Sequence, residues 1–250
     1  MALTDSLVSY WKFDESSGNA ADSHGSNTLT NVNTATYSAG KINNGTSLVR
    51  ASTQHFTATD SASLDLSGDC SFSFWIKIGT APATNAQYAI FFKDANGTDT
   101  TRAYGLNYSD NAGTKGFQMY LFPTGYTYPG YWNGRISYDL GTATWAHVVI
   151  VVTIANSNAT KAELYINGTS QGNFTLQDGT GATSIQNVAD SLYIGYSNGG
   201  FQGAFDGMFD EAGIWSRVLT GAEVTSLYNG GAGLAYPFSS PANSSFLMFM

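Results

Sequence analysis

Two stretches of the chain are dense enough in donors, acceptors or aromatic faces to bind something. Residues 14–31 read DESSGNAADSHGSNTLTN, and Asp14, Glu15, Asn19, Asp22, Ser26 and Asn27 crowd oxygen atoms into a segment almost free of hydrophobic side chains. Such crowding suits a hard cation such as Ca²⁺, which takes about six to eight oxygen ligands. Residues 123–134 read PTGYTYPGYWNG and bring Tyr126, Tyr128, Tyr131 and Trp132 within seven residues, with Asn133 and Arg135 directly after. Flat aromatic rings stack on the C–H face of a sugar ring, while amide and guanidinium groups bind its hydroxyls. The same mix serves adaptable protein-binding loops, and a self-packed lid over the edge of a core is the structural alternative. So many aromatics in one turn are expected to leave one or two exposed, with Trp132 among the binding groups.

Catalytic constellations are hard to assemble from what remains. The four glutamates, Glu15, Glu163, Glu211 and Glu223, never alternate with one another. Asp206 and Asp210 lie on one strand face but two positions too far apart for close pairing. His24, His55 and His147 lack metal-ligand spacing, and His147 sits in an apolar run where a satisfied core histidine is the expectation. No Gly-x-Ser-x-Gly elbow or phosphate-cradling loop occurs.

Composition narrows the partner. Only 11% of the 250 residues are charged, against about 25% in ordinary soluble domains, so the surface is made polar by Ser, Thr, Asn and Gly. A net charge of −8, with basic residues scattered singly, argues against nucleic acid and against an anionic membrane surface. It allows a neutral sugar, a protein partner or a cation. No stretch approaches the ~20 apolar residues of a membrane span. The N-terminus MALTDSLVSYWKFD shows no signal-peptide pattern, which suits a mature form or release without secretion; the expected location is extracellular or on a virion surface. Cys70, the single cysteine, cannot form an intrachain disulfide and is expected as an inert buried thiol.

The elements that must position these groups are strands. Residues 70–78 alternate Cys70, Phe72, Phe74, Ile76 and Ile78 on one face, and residues 145–154 are apolar on both faces, as in a central strand. Asn167-Gly168 marks a tight hairpin. Near the end, FQGAFDGMFDEAGIWSRVLTGAEVTSLYN (201–229) reads as a strand, a capping box of Thr220 and Glu223, a short helix with Val224, Leu227 and Tyr228 on one stripe, and a glycine stop. A dozen or more strands with one helix and no helix–strand alternation imply a two-layer antiparallel sandwich.

The closing run resembles that of laminin-G-like, concanavalin-A-like lectin domains. There a Gly-x-x-Asp-Glu strand precedes an Arg-x-Leu-(Ser/Thr)-x-x-Glu helix, matched here by Gly207, Asp210, Glu211, Arg217, Leu219, Thr220 and Glu223. Residues 61–79, SASLDLSGDCSFSFWIKIG, are similar to the family's Ser-Leu-Asp-Leu turn and following strand; Trp145-x-His147 and residues 164–168 add to the likeness. The resemblance implies an all-β jelly-roll sandwich with one short C-terminal helix, spanning residues 1–238. The apolar tail at 239–250 lies beyond it, and is expected to dock on its own domain or stay disordered, the alternative being docking on a neighbouring subunit. The resemblance also implies Ca²⁺ between the loop after the first strand and the closing strand, held by Asp22, Asn27 and Asp210. The alternative for these groups is a turn cap at Asp22 and an Asp210 pair with Arg217 or Lys12. The Glu-x-Asp-x-Glu string of glucanases on this fold is missing from the sequence. The expected function is a non-catalytic binding or adhesion module for a glycan or surface polymer, the alternative a structural or decoration component of a virion or other surface assembly.

Overall fold

The sequence's clearest alternating strand lies at the centre of the molecule. In the computed structural model, which describes residues 1–94, 101–125, 130–179, 181–199 and 203–238, β6 (Cys70–Ile78) pairs along its length with β11 (Trp145–Val152) and β16 (Gly207–Trp215). Outward from this trio run β12 (Ala162–Ile166) and β13 (Thr169–Asn173) on one side, and β4 (Asn44–Leu48) and β3 (Thr36–Ala39) on the other. β1 (Leu7–Trp11) also pairs with β16, completing an eight-stranded antiparallel sheet.

The second sheet also has eight strands. Its order is β14 (Thr175–Asp178), β10 (Trp132–Ser137), β9 (Thr114–Leu121), β8 (Arg102–Asn111), β7 (Gln87–Asp94), β15 (Leu192–Ile194), β5 (His55–Ala58) and β2 (Thr30–Val32). The sheets meet through aromatic side chains. Phe72 lies 5.7 Å from Phe91 and 5.5 Å from Tyr104, and Phe74 lies 5.3 Å from Phe91, ring centre to ring centre. Cys70 is fully enclosed in this core, where burial pushes its thiol well up. The expected all-β sandwich with one short helix is therefore what forms.

The helix α1 (Gly221–Tyr228) begins with the expected box: the Thr220 side chain accepts the Glu223 N–H, and the Glu223 carboxylate accepts the Thr220 N–H. Val224 and Leu227 bury against Val149, Val151 and Trp215 on the outer face of the first sheet. Tyr236 and Phe238 cover the same face, stacking at 5.2 Å and edge-on at 5.1 Å around Tyr10. The chain thus folds back on itself up to residue 238; the tail at 239–250 lies outside the described residues. His147 is buried, as expected, but only half satisfied: Nε2 lies 2.9 Å from the Ser73 hydroxyl, Nδ1 has no hydrogen-bond partner, and the ring packs with Trp75 and Tyr228 on the sheet face that the helix covers. At the β12–β13 turn Asn167 and Gly168 take φ values of 52° and 79°, the pair of positive angles a type I′ hairpin requires.

β16 is where the fold departs from a plain ladder. Its first half pairs with β4, at Gly207, Met208 and Phe209, and its second half with β1, from Ala212 to Trp215. Between them the register against β6 shifts, and Glu211 adopts a φ of 48°. A bulge turns consecutive side chains away from strict alternation, and this is the structural reason that Asp210 and Glu211 interrupt an apolar strand.

Candidate functional site

The alternation of β10 divides the aromatic segment singled out in the sequence. Trp132 points into the core and is fully buried, its ring lying over Gly134, where an added Cβ would come within 2.2 Å of it. The expectation that Trp132 is an exposed binding group is therefore overturned: it faces inward with Phe117, Met119 and Leu121. Tyr131, Asn133 and Arg135 fall on the opposite, outer face of the second sheet. Tyr126 and Tyr128 lie outside the described residues.

On that outer face the three expected residues meet groups that the sequence reading missed. Tyr131 stacks on Phe122 at 5.7 Å and 19°, and Phe122 on Tyr120 at 6.4 Å and 11°, a near-parallel row of rings apart from the main core. Tyr131 and Phe122 are buried, whereas Tyr120 is half-buried and opposes Asn133 across the ladder. The Gln118 side-chain amide donates to Asn133 Oδ1 at 2.9 Å. Arg135 opposes Gln118 and donates to the Ser109 hydroxyl at 2.6 Å and to the Thr114 carbonyl at 2.5 Å. Its burial lowers the guanidinium pKa. The Tyr131 hydroxyl donates to the exposed Asp178 carboxylate of β14, which holds that carboxyl below its ordinary range. Asn133 and Arg135 are buried beneath this face, so the half-buried Tyr120 ring and Gln118 and the exposed Asp178 are the groups that could stack on a sugar and bind its hydroxyls. The signal for Gln118, Tyr120 and Phe122 was present in the sequence: they alternate with Phe117, Met119 and Leu121, so one set had to face away from the core.

The expected cation ligands are not brought together. Asp22 caps its loop: its Oδ1 accepts the N–H groups of Tyr10, His24 and Gly25, and its Oδ2 that of Asn27. The Asn27 amide is spent on Ser9, Ser61 and Ser63. Both residues lie along the edge of β1 opposite to β16, since Asp22 bridges Trp11 there while β16 holds the other edge. Two strand spacings of about 4.8 Å therefore separate Asp22 from the strand that carries Asp210. Among the described residues, no three His, Cys, Asp or Glu side chains converge as a metal cluster.

Asp210 itself is fully buried and pairs with neither Arg217 nor Lys12. Its Oδ2 accepts the N–H groups of Lys41 and Ile42 at 2.6 and 2.8 Å. Arg217 instead grips Glu223 through two bonds of 2.7 and 2.9 Å, and Lys12 lies 3.2 Å from Asp14. Asp210 Oδ1 lacks a close hydrogen-bond partner, and the buried Glu211 carboxylate is approached only by the Tyr10 hydroxyl and the Tyr236 N–H, neither close enough to satisfy it fully. Burial, joined by their mutual repulsion, pushes Asp210 up to about 8. Burial and the Asp14 charge push Glu211 up to about 7. A buried polar oxygen without a full hydrogen-bond partner carries a desolvation cost of about 1–3 kcal/mol. The two carboxylates are chemically apt to hold a hard cation, but as a pair on β16, without Asp22 and Asn27.

Solved structures with this fold include binding domains. The fourth domain of AbnA, an extracellular arabinanase of Geobacillus stearothermophilus solved with arabinotriose, is 20% identical over 88% of this chain and 96% of its own, with a TM-score of 0.56. The binding domain of Paraclostridial Mosquitocidal Protein 1 is 17% identical over 92% of this chain, at 0.65. That of Botulinum Neurotoxin DC in complex with SialylT is 14% identical over 91%, at 0.64. This chain spans about half the length of the two toxin domains, 53% and 52%. Among curated proteins none matches the chain. The family model described as concanavalin A-like lectin/glucanases superfamily matches residues 50–225, which takes in both sheets' central strands and the start of the closing helix; the chain belongs to that superfamily.

Proposed function

We propose that this chain is a non-catalytic carbohydrate-binding module that works outside the cell or on a particle surface, and that its ligand lies on the outer face of the second sheet across β9 and β10. The observation that carries this reading is the half-buried Tyr120 ring, held parallel to Phe122 and Tyr131 and bordered by Gln118, Asn133 and Arg135. Rings locked by stacking lose little entropy on binding, and the side chains beside them are already fixed by hydrogen bonds, so the surface is preorganised. The similar domain solved with arabinotriose supports the ligand class.

A glycan array followed by calorimetry tests the reading. Tyr120→Ala is expected to weaken saccharide binding by about 1–3 kcal/mol while the melting temperature stays close to wild type. Unchanged binding by this variant overturns the assignment of the face. The alternative role, a decoration subunit of a virion or other surface assembly, is reported by a different outcome: a stable oligomer in size-exclusion chromatography that binds no saccharide.

Calcium belongs to the same reading as a structural ion, carried by Asp210 and Glu211, two adjacent buried carboxylates whose under-satisfied oxygens support it. The group would neutralise these two carboxylates at the bulge of β16.

A further inference from the structure

A cleft lies at the other end of the second sheet, far along the strand order from β9 and β10. Its volume is about 470 Å³, within the range of about 300–1,000 Å³ usual for small-ligand sites. It opens where β2, the edge of the second sheet, approaches β3, the edge of the first, with the loop after β1 as its third wall. Every side chain lining it is uncharged, in a chain whose net charge is −8.

Neutral hydrogen bonds lace the three walls. Asn31 donates to the Gly18 carbonyl at 3.0 Å and the Ala35 carbonyl at 2.8 Å, and accepts the Ala35 N–H at 2.8 Å. Asn19 accepts the Asn31 N–H at 3.0 Å, and the Tyr37 hydroxyl donates to the Gly18 carbonyl at 2.8 Å. Tyr37 is half-buried with its ring set edge-on against Phe56, 6.1 Å away. Burial and the nearby Glu15 charge keep its phenol protonated. The exposed hydroxyls of Ser16, Ser17 and Thr36 make no hydrogen bond among the described residues. A fixed ring, a rigid floor and unspent hydroxyls, with no charged side chain in the lining itself, suit a ligand that is uncharged and rich in hydroxyls.

We infer that this cleft is a second carbohydrate site, taking a terminal unit of a neutral oligosaccharide, and that the module is therefore bivalent. The inference shares the ligand class of the proposed function but none of its residues, so either site can fail alone. The experiment titrates the ¹⁵N-labelled full chain with arabinotriose, maltotriose and cellotriose and follows amide shifts. At least one saccharide is expected to shift amides of residues 16–19 and 31–37. Ser17→Trp, placed on an exposed loop, fills the cleft; it should weaken those shifts about tenfold in apparent affinity and leave shifts around Tyr120 untouched, while Tyr120→Ala does the reverse. Shifts at 16–19 and 31–37 that persist in Ser17→Trp, or their absence with all three saccharides, overturn the second site whatever happens at Tyr120.

Discussion

Trp132 and Tyr131 are neighbours in sequence and opposites in the fold. Strand pleating sends one ring into the core and the other to the outer face, so the larger ring contributes stability and the smaller one shapes the face proposed to bind. Trp132→Ala is expected to cost about 3–5 kcal/mol, read as a lower urea midpoint, with saccharide affinity of the folded fraction unchanged. A drop in affinity without loss of stability would return Trp132 to the binding surface. Cys70 gives a second residue-scale test. Enclosed in the core with its thiol pushed up by burial, it should react with a thiol reagent only as fast as the protein unfolds; rapid reaction under native conditions contradicts its placement.

The closing strand and helix act as a unit. Thr220 and Glu223 cap α1 reciprocally, and Arg217 ties that cap to the N-terminal segment by donating to the carbonyls of Ala2 and Asp5. Thr220→Ala should lower stability by about 1 kcal/mol, with a reduced urea midpoint and an unchanged slope. Gly207 at the head of β16 has a φ of 144°, and a Cβ there would lie 2.1 Å from the Lys77 carbonyl, which gives the first position of the Gly-x-x-Asp-Glu motif its physical meaning. The Asp210–Glu211 bulge supplies the calcium test. Added Ca²⁺ should raise the melting temperature over EDTA, by the equivalent of about 2.7 kcal/mol at 100 times the dissociation constant, and Asp210→Asn should abolish the difference. Equal midpoints for wild type in the two buffers would remove the ion from this account.

For the molecule as a whole, pH sums groups of opposite sign. Burial alone holds His147 down to about 3, below its unfolded value of about 6.5. Its contribution is therefore present above 6.5 and is lost as pH falls toward 3. Burial works to raise Glu223, but the Arg217 and Thr220 bonds prevail and hold it at about 2; its contribution is lost between about 4.3 and that value. Asp210 and Glu211 carry the other sign, favouring the fold at low pH and losing that effect as pH rises through 7 to 8. A variant separates them. Between pH 6.5 and 5, His147→Gln should remove a slope approaching 1.4 kcal/mol per pH unit from wild-type stability measured by urea unfolding. Parallel curves for the two proteins would mean that His147 titrates normally in the fold.

Short-range pattern was enough for much of this protein. Period-two alternation in residues 70–78, the Thr220–Glu223 spacing and the Asn167-Gly168 turn each act through neighbours in the chain, so they could be read from sequence and they reappear in the structure. The closing motif carried the family for the same reason, because its glycine, acidic pair and cap lie within seventeen residues, 207–223. What the tertiary structure decided depends on partners far away in sequence. Asp22 lies in the loop after β1 and Asp210 in the middle of β16, yet Asp22 bridges the edge of β1 that faces away from β16, a fact of strand order that no local spacing encodes. The bulge at Glu211 arises because β16 changes partner from β4 to β1. Tyr120 belongs beside Asn133 only because β9 and β10 pair in that register; a shift of one residue would have placed the same side chains on opposite faces.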